Sequence, residues 1–118
     1  MKYMLLIYQG TTPLPGSDAW DALPEAEKGA VYAAYQALNE TPGFTSGVQM
    51  ASPETATTVR VQDGRTLTTD GPFVEIKEAL GGYAFFEADD LDAAIELAAR
   101  IPAARMGGAV EVRPLVER

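Results

Sequence analysis

The stretch KYMLLIY, residues 2–8, constrains the fold more than any other part of the chain. Its residue types favour a β-strand, and Gln9-Gly10 ends it. Successive side chains of a strand point to opposite faces. Met4, Leu6 and Tyr8 therefore share one face, and Tyr3, Leu5 and Ile7 share the other. Both faces are apolar, which predicts an interior strand covered on both sides.

Further along, TTPLPGSDAWDAL is rich in Pro, Gly, Ser and Asp and reads as a loop, with Trp20 as a lid over the edge of the core. Pro24 at a first helical position, followed by Glu25 and Glu27, opens a helix that runs to about Asn39. Val31, Ala34, Tyr35 and Leu38 form its buried stripe, and Thr41-Pro42-Gly43 stops it. FTSGVQM is a strand, and Ser52-Pro53 marks a turn. TATTVRVQ and TLTTD are two strands joined by an Asp63-Gly64 hairpin turn. LGGYAFFEA is a strand in which Gly81-Gly82 permit a bulge or a close approach of backbones. Asp89 caps a second helix, with Asp90 and Asp92 in its first turn. Leu91, Ala94, Ile95, Ala98 and Ile101 form its apolar stripe, and Pro102 closes it. AVEVRPLVE is the last strand, with Val110 and Val112 facing in and Glu111 and Arg113 facing out.

This order predicts one α+β domain over residues 1–118, a mainly antiparallel sheet with two helices on one face. Two helices cover only one face, so the second apolar face of the first strand needs another cover. A second copy of the chain supplies it most simply, since most oligomers are symmetric homodimers. A ligand pocket beneath the sheet is the other candidate, and the two can coexist.

Composition removes several function classes. The chain has no Cys and no His. Disulfides, thiolate catalysis and the commonest transition-metal sites are therefore out of reach, as is the commonest general base near neutral pH. The formal net charge of −8 disfavours nucleic acid and anionic membrane surfaces as partners. The N-terminal apolar run is too short for a signal peptide, and no run approaches a membrane span. A cytoplasmic protein is the expectation. Gly81-Gly82 lacks the spacing of a dinucleotide fingerprint, the acidic residues match no metal-binding loop, and no cofactor is expected.

The segment TTDGPFVEIKEA, residues 68–79, carries the densest chemistry. Asp70-Gly71-Pro72 is a bend: Asp bonds its following backbone, Gly admits positive φ, and Pro fixes the next residue. In an extended chain Glu75 and Lys77 point the same way and Glu78 opposite; in a helical turn Glu75 and Glu78 share a face instead. Either arrangement sets acid beside base. Asp70, Glu75 and Lys77 are the candidate catalytic residues. Asp70 or Glu75 would move a proton, and Lys77 would stabilise a carboxylate or enolate. Tyr8, Phe73, Glu78 and Tyr83 are the candidate ligand-binding residues, with a small acidic or aromatic ligand expected. A solvated ion pair and a plain bend account for the same residues without a site.

The run RVQDGRTLTTDGPFVEIKEALGGYAFFEADDLDAAIELAARIP resembles the YCII-related family, and within it the branch named for Asp70-Gly71-Pro72-Phe73. The likeness extends to MKYMLLIY and to Glu111-Val112-Arg113-Pro114. It implies a ferredoxin-like fold of the dimeric α/β barrel superfamily, with two sheets packed face to face. It implies small bacterial proteins of unassigned activity, often encoded beside extracytoplasmic-function sigma factors. Relatives carry a His–Asp pair in their cleft. This chain has no His, so only Asp70 could stand for the acidic partner. Two functions follow as expectations. One is a cofactor-independent enzyme of isomerase, lyase or dehydrohalogenase type. The alternative is a non-catalytic ligand-binding or regulatory partner linked to sigma-factor signalling.

Overall fold

The computed structural model describes residues 1–72 and 80–117. Its architecture is α+β and ferredoxin-like. The main sheet has the order β2-β5-β1-β6, built from β1 (Lys2–Tyr8), β2 (Phe44–Ser46), β5 (Leu80–Glu87) and β6 (Ala109–Pro114). A separate two-stranded ribbon is formed by β3 (Thr57–Gln62) and β4 (Arg65–Asp70). Three helices complete the fold: α1 (Asp18–Asp21), α2 (Glu25–Asn39) and α3 (Leu91–Ala98). All pairings are antiparallel.

β1 is interior, flanked by β5 and β6, as its two apolar faces require. The faces are not covered equally. Tyr3, Leu5 and Ile7 are buried in one cluster with Leu38 of α2 and Ala94, Leu97 and Ala98 of α3. Met4, Leu6 and Tyr8, on the other face, are half-buried. The shortest extent of the molecule is 18 Å, room for one sheet and one layer of helices.

Several local expectations hold. The ribbon turns at Asp63 and Gly64, with φ of 51° and 75°, the two positive values of a two-residue hairpin. Pairing passes from Ile7↔Gly82 to Tyr8↔Leu80, so Gly81 is the extra residue of a bulge. Val110 and Val112 pack against the core, while Glu111 and Arg113 pair with each other on the opposite side.

Others are corrected. The loop after β1 contains the one-turn α1, because Ser17 caps it: its Oγ accepts from the Trp20 N–H at 3.1 Å. Pro24 is the N-cap of α2 rather than its first residue. The second strand stops at Ser46; beyond it the Gly47 and Met50 N–H groups still donate to the Tyr83 and Gly81 carbonyls, at irregular spacing. Asp90, not Asp89, caps α3, accepting from the Ala93 N–H at 2.9 Å. Residue 88 is still tied to the strand layer through the Ala88 N–H to the Met1 carbonyl, so the chain needs Asp89 to leave it. The inward face of α3 is Ala94, Leu97 and Ala98, continued by Ile101, and Leu91 and Ile95 are half-exposed. The helix ends at Ala98, and Pro102 opens a 3₁₀ turn, Pro102–Ala104.

The Asp-Gly-Pro bend lies at the open end of the ribbon. Gly71 has φ +96°, its N–H donates to the Ala56 carbonyl at 2.7 Å, and its carbonyl accepts from Thr58 Oγ1 at 2.8 Å. A Cβ there meets no atom within 4 Å, so its cost is conformational alone. Gly71→Ala should lower stability by about 1 kcal/mol. Gly29→Ala, in the interior of α2 with open space around it, should raise stability by roughly 0.5–1 kcal/mol. Denaturant melts of the two variants check the pair; shifts of the same sign would refute the bend geometry.

Candidate functional site

Side-chain size along β5 creates a cleft. The inward positions run Phe86, Ala84, Gly82 toward the strand's start, so the gap between sheet and helices is filled at one end and hollow at the other. A Cβ at Gly82 would meet only Ile7 Cδ1, at 3.9 Å. The hollow measures about 340 Å³, within the range of small-molecule sites. Its floor is Ile7, Gly82 and Ala84; Val31 and Tyr35, one helical turn apart on α2, form a wall; Phe44 of β2 forms another.

Trp20 closes the cleft from the side of α1. It is 6% exposed and meets the Tyr32 ring edge-on, with centroids 5.5 Å apart and planes at 77°. Ser17 fixes it twice over, since the same Oγ that caps α1 also donates to the Leu14 carbonyl at 2.6 Å. Trp20 is thus the lid that the sequence suggests, and it also lines the cleft.

A second hollow of about 330 Å³ adjoins the first. The two share Gln9, Thr12, Leu14, Gln49 and Gly81. Gln9 lies across Gly81, where an added Cβ would fall 2.2 Å from Gln9 Cγ and 2.8 Å from its Nε2. The bulge glycine therefore makes the seat on which the Gln9 amide rests. No Asp, Glu, Lys or Arg among the described residues lines either hollow. The polar side chains of the lining are neutral: the amides of Gln9, Asn39 and Gln49, and the hydroxyls of Thr12, Tyr32, Tyr35, Ser46 and Ser52. Tyr35, expected in the buried stripe of α2, keeps 37% of its surface exposed, and its partial burial raises its pKa above the ordinary phenol value. Its hydroxyl is a neutral hydrogen-bonding group at physiological pH rather than a base.

The residues singled out from sequence fall in different places. Tyr83 is among the residues at the edge of the main cleft, but its side chain lies on the face of β5 opposite Gly82 and Ala84, against Gly47, where a Cβ would lie 2.6 Å from the ring. Tyr8 is half-buried on β1, on the same side as Leu6 and its cross-strand partner Tyr83. Asp70 ends β4 as an exposed residue and lines neither hollow. Phe73, Glu75, Lys77 and Glu78 lie outside the described residues. Sequence reasoning passed over Gln9, Thr12, Tyr32 and Gln49. The signal for them was indirect: small residues at the inward positions of β5, opposite an aromatic-bearing helix. Among the described residues, no three acidic side chains gather to hold a metal ion, and no helix is long and apolar enough to cross a membrane.

The YCII-related domain family matches residues 1–118. An uncharacterised protein of Rhizobium meliloti (strain 1021) is 32% identical over 117 residues, covering 98% of this chain and 92% of its own.

The Tyr35 shift carries a pH dependence. Its folded pKa is raised, so the folded state holds the phenol proton more tightly than the unfolded chain does. The stability contributed is fully present below the unfolded value of about 10 and is lost as pH rises through the folded one. Tyr35→Phe should therefore lose less stability than wild type across that alkaline window. Urea melts on both proteins at neutral and alkaline pH check this; parallel losses would refute it.

Proposed function

The chain belongs to the YCII-related family, and from that premise we propose that it is a non-catalytic binding protein for a small, uncharged ligand with an aromatic or otherwise apolar body. The ligand occupies the cleft between α2 and the sheet. One observation carries this reading: a hollow of about 340 Å³ walled by Trp20, Val31, Tyr35 and Phe44, with no charged side chain among its described lining residues. Removing apolar ligand and wall surface from water favours binding by about 25 cal/mol per Å². An anion entering the same space would shed water and find no counter-charge in the described lining. Proton-transfer catalysis needs an acid or base within hydrogen-bond reach of the ligand. The described lining offers phenols, hydroxyls and amides, with no carboxylate or amine among them.

In this proposal two copies pair through the open face of the sheet. Met4, Leu6, Tyr8, Tyr83 and Phe85 lie together on it, half-buried in the single chain. Tyr83 and Phe85 meet edge-on with centroids 6.0 Å apart, and the Lys2 ammonium sits 5.6 Å from the centre of the Phe85 ring. Contiguous apolar surface of this kind marks an interaction face, and a symmetric pair of sheets covers it.

Trp20 is the sole tryptophan and lies in the cleft wall, so its fluorescence reports occupancy. Hydrocinnamamide should change that emission saturably. Hydrocinnamate, of similar shape but charged, should bind at least about tenfold more weakly. No response to either, or tighter binding of the anion, overturns the reading. Sedimentation should give a dimer for the wild type at micromolar concentration. It should give a monomer for Leu6→Lys, whose new charge faces Glu111 across the strand pair. A wild-type monomer at every concentration overturns the pairing.

A further inference from the structure

The junction between the two hollows carries more than its position. Gln9, Thr12 and Gln49 line both. Thr12 Oγ1 is buried without a hydrogen-bond partner; Gln9, half-buried, and Gln49, exposed, make no hydrogen bond through their amides to a described residue. Buried polar groups in native proteins are nearly all paired, and an unpaired one calls for an explanation. Each glutamine amide presents both a carbonyl acceptor and N–H donors. A ligand group that satisfies such an amide best offers a donor and an acceptor of its own.

We infer that Gln9, with Thr12 and Gln49 beside it, is the specificity-determining anchor of the cleft and takes the carboxamide or lactam head of a neutral ligand whose apolar body lies against Trp20 and Tyr35. The inference rests on the proposed binding role of the same cleft. Gly81 is a positioning residue. As the extra residue of the β5 bulge it has no side chain, and the Gln9 side chain occupies the space a Cβ would need. The amide is held there at the boundary of the two hollows. The head group sits at that boundary, and a substituent beyond it extends into the second hollow toward Met50 and Leu80.

Two probes of similar size separate the possibilities. Hydrocinnamamide carries donor and acceptor, whereas benzylacetone carries the acceptor alone. Wild-type protein should prefer the amide by roughly five- to tenfold, the scale of one neutral hydrogen bond. Gln9→Leu should abolish that preference by weakening hydrocinnamamide more than benzylacetone, and should keep the melting temperature of the wild type, since the lost amide supports no described hydrogen bond. Gly81→Ala, which drives Gln9 off its seat, should lose the same preference, and retention of it overturns the positioning role. Equal binding of both probes by wild type, or an undiminished amide preference in Gln9→Leu, overturns the anchor while leaving the cleft as a binding site. Binding of neither probe by wild type overturns the cleft's role and the anchor with it.

Discussion

The pairing of β1 with β5 sets both what is solid in this molecule and what is hollow. The two strands are the interior of the sheet, and their inward side chains form the middle of the surface on which the helices pack, flanked by Phe44, Val110 and Val112. At one end of the pair Tyr3, Leu5 and Phe86 are large and fill the layer. At the other, Gly82 leaves the floor bare beside Ile7. Protein interiors are packed to the density of organic crystals, and an unfilled volume costs stability in proportion to its size. A sequence that keeps small residues where the layers part forgoes that packing energy. The hollow it keeps is an open cleft bounded on one side by Trp20, whose backbone and neighbours are fixed by the Ser17 hydroxyl.

The electrostatics follow the same division. The chain carries a net charge of −8, yet its described charged groups lie outside the cleft. Such a distribution favours neutral ligands twice. The surrounding negative field repels anions at a distance, and the described lining has no cation to compensate one that enters. Neutral amides and hydroxyls cost less to desolvate than charges do, so they are the polar groups that an apolar wall can accommodate. The raised Tyr35 pKa is a consequence of that wall: the same burial that makes the hollow hospitable to an apolar body disfavours a phenolate.

Much of the architecture was legible because it rests on period and turn chemistry. The two-faced β1, the Asp63-Gly64 turn and the Gly81 bulge each follow from rules about one or a few residues. The misplaced features differ from those by small steps. Moving the cap from Asp89 to Asp90 and replacing Leu91 and Ile95 by Leu97 on the inward face of α3 is a rotation of the helix. Each residue turns the face by a hundred degrees or so, and the stripe Leu91-Ala94-Ile95-Ala98 competes closely with Ala94-Leu97-Ala98-Ile101. The second stripe is the one buried, with Leu97 and Ile101 inside and Leu91 and Ile95 half-exposed. The cleft was hard to see for another reason. Charged residues at short spacing draw the eye, and Asp70, Glu75 and Lys77 formed the obvious constellation, of which Asp70 stands exposed away from both hollows. A site built from glutamine, threonine and tyrosine on separate segments, the loop after β1, α2 and the stretch after β2, leaves no local pattern. Its trace in the sequence is an omission, the missing side chains of Gly81 and Gly82.

The Asp-Gly-Pro stretch still earns a role, through backbone rather than through reactive side chains. A two-stranded ribbon is marginally stable by itself, and nearly every residue of β3 and β4 is exposed. What ties its open end is the Gly71 N–H on the Ala56 carbonyl and the Thr58 hydroxyl on the Gly71 carbonyl. Only a residue free to take φ +96° can offer both groups there while the chain turns out of the ribbon, and Pro72 then limits the directions it can leave in. The strand that the chain must eventually reach is β5, whose first residues carry the bulge and the seat of Gln9. The bend and the cleft are therefore connected by the course of the backbone. Asp70, Gly71 and Pro72 can thus matter to the cleft through the backbone while lining neither hollow.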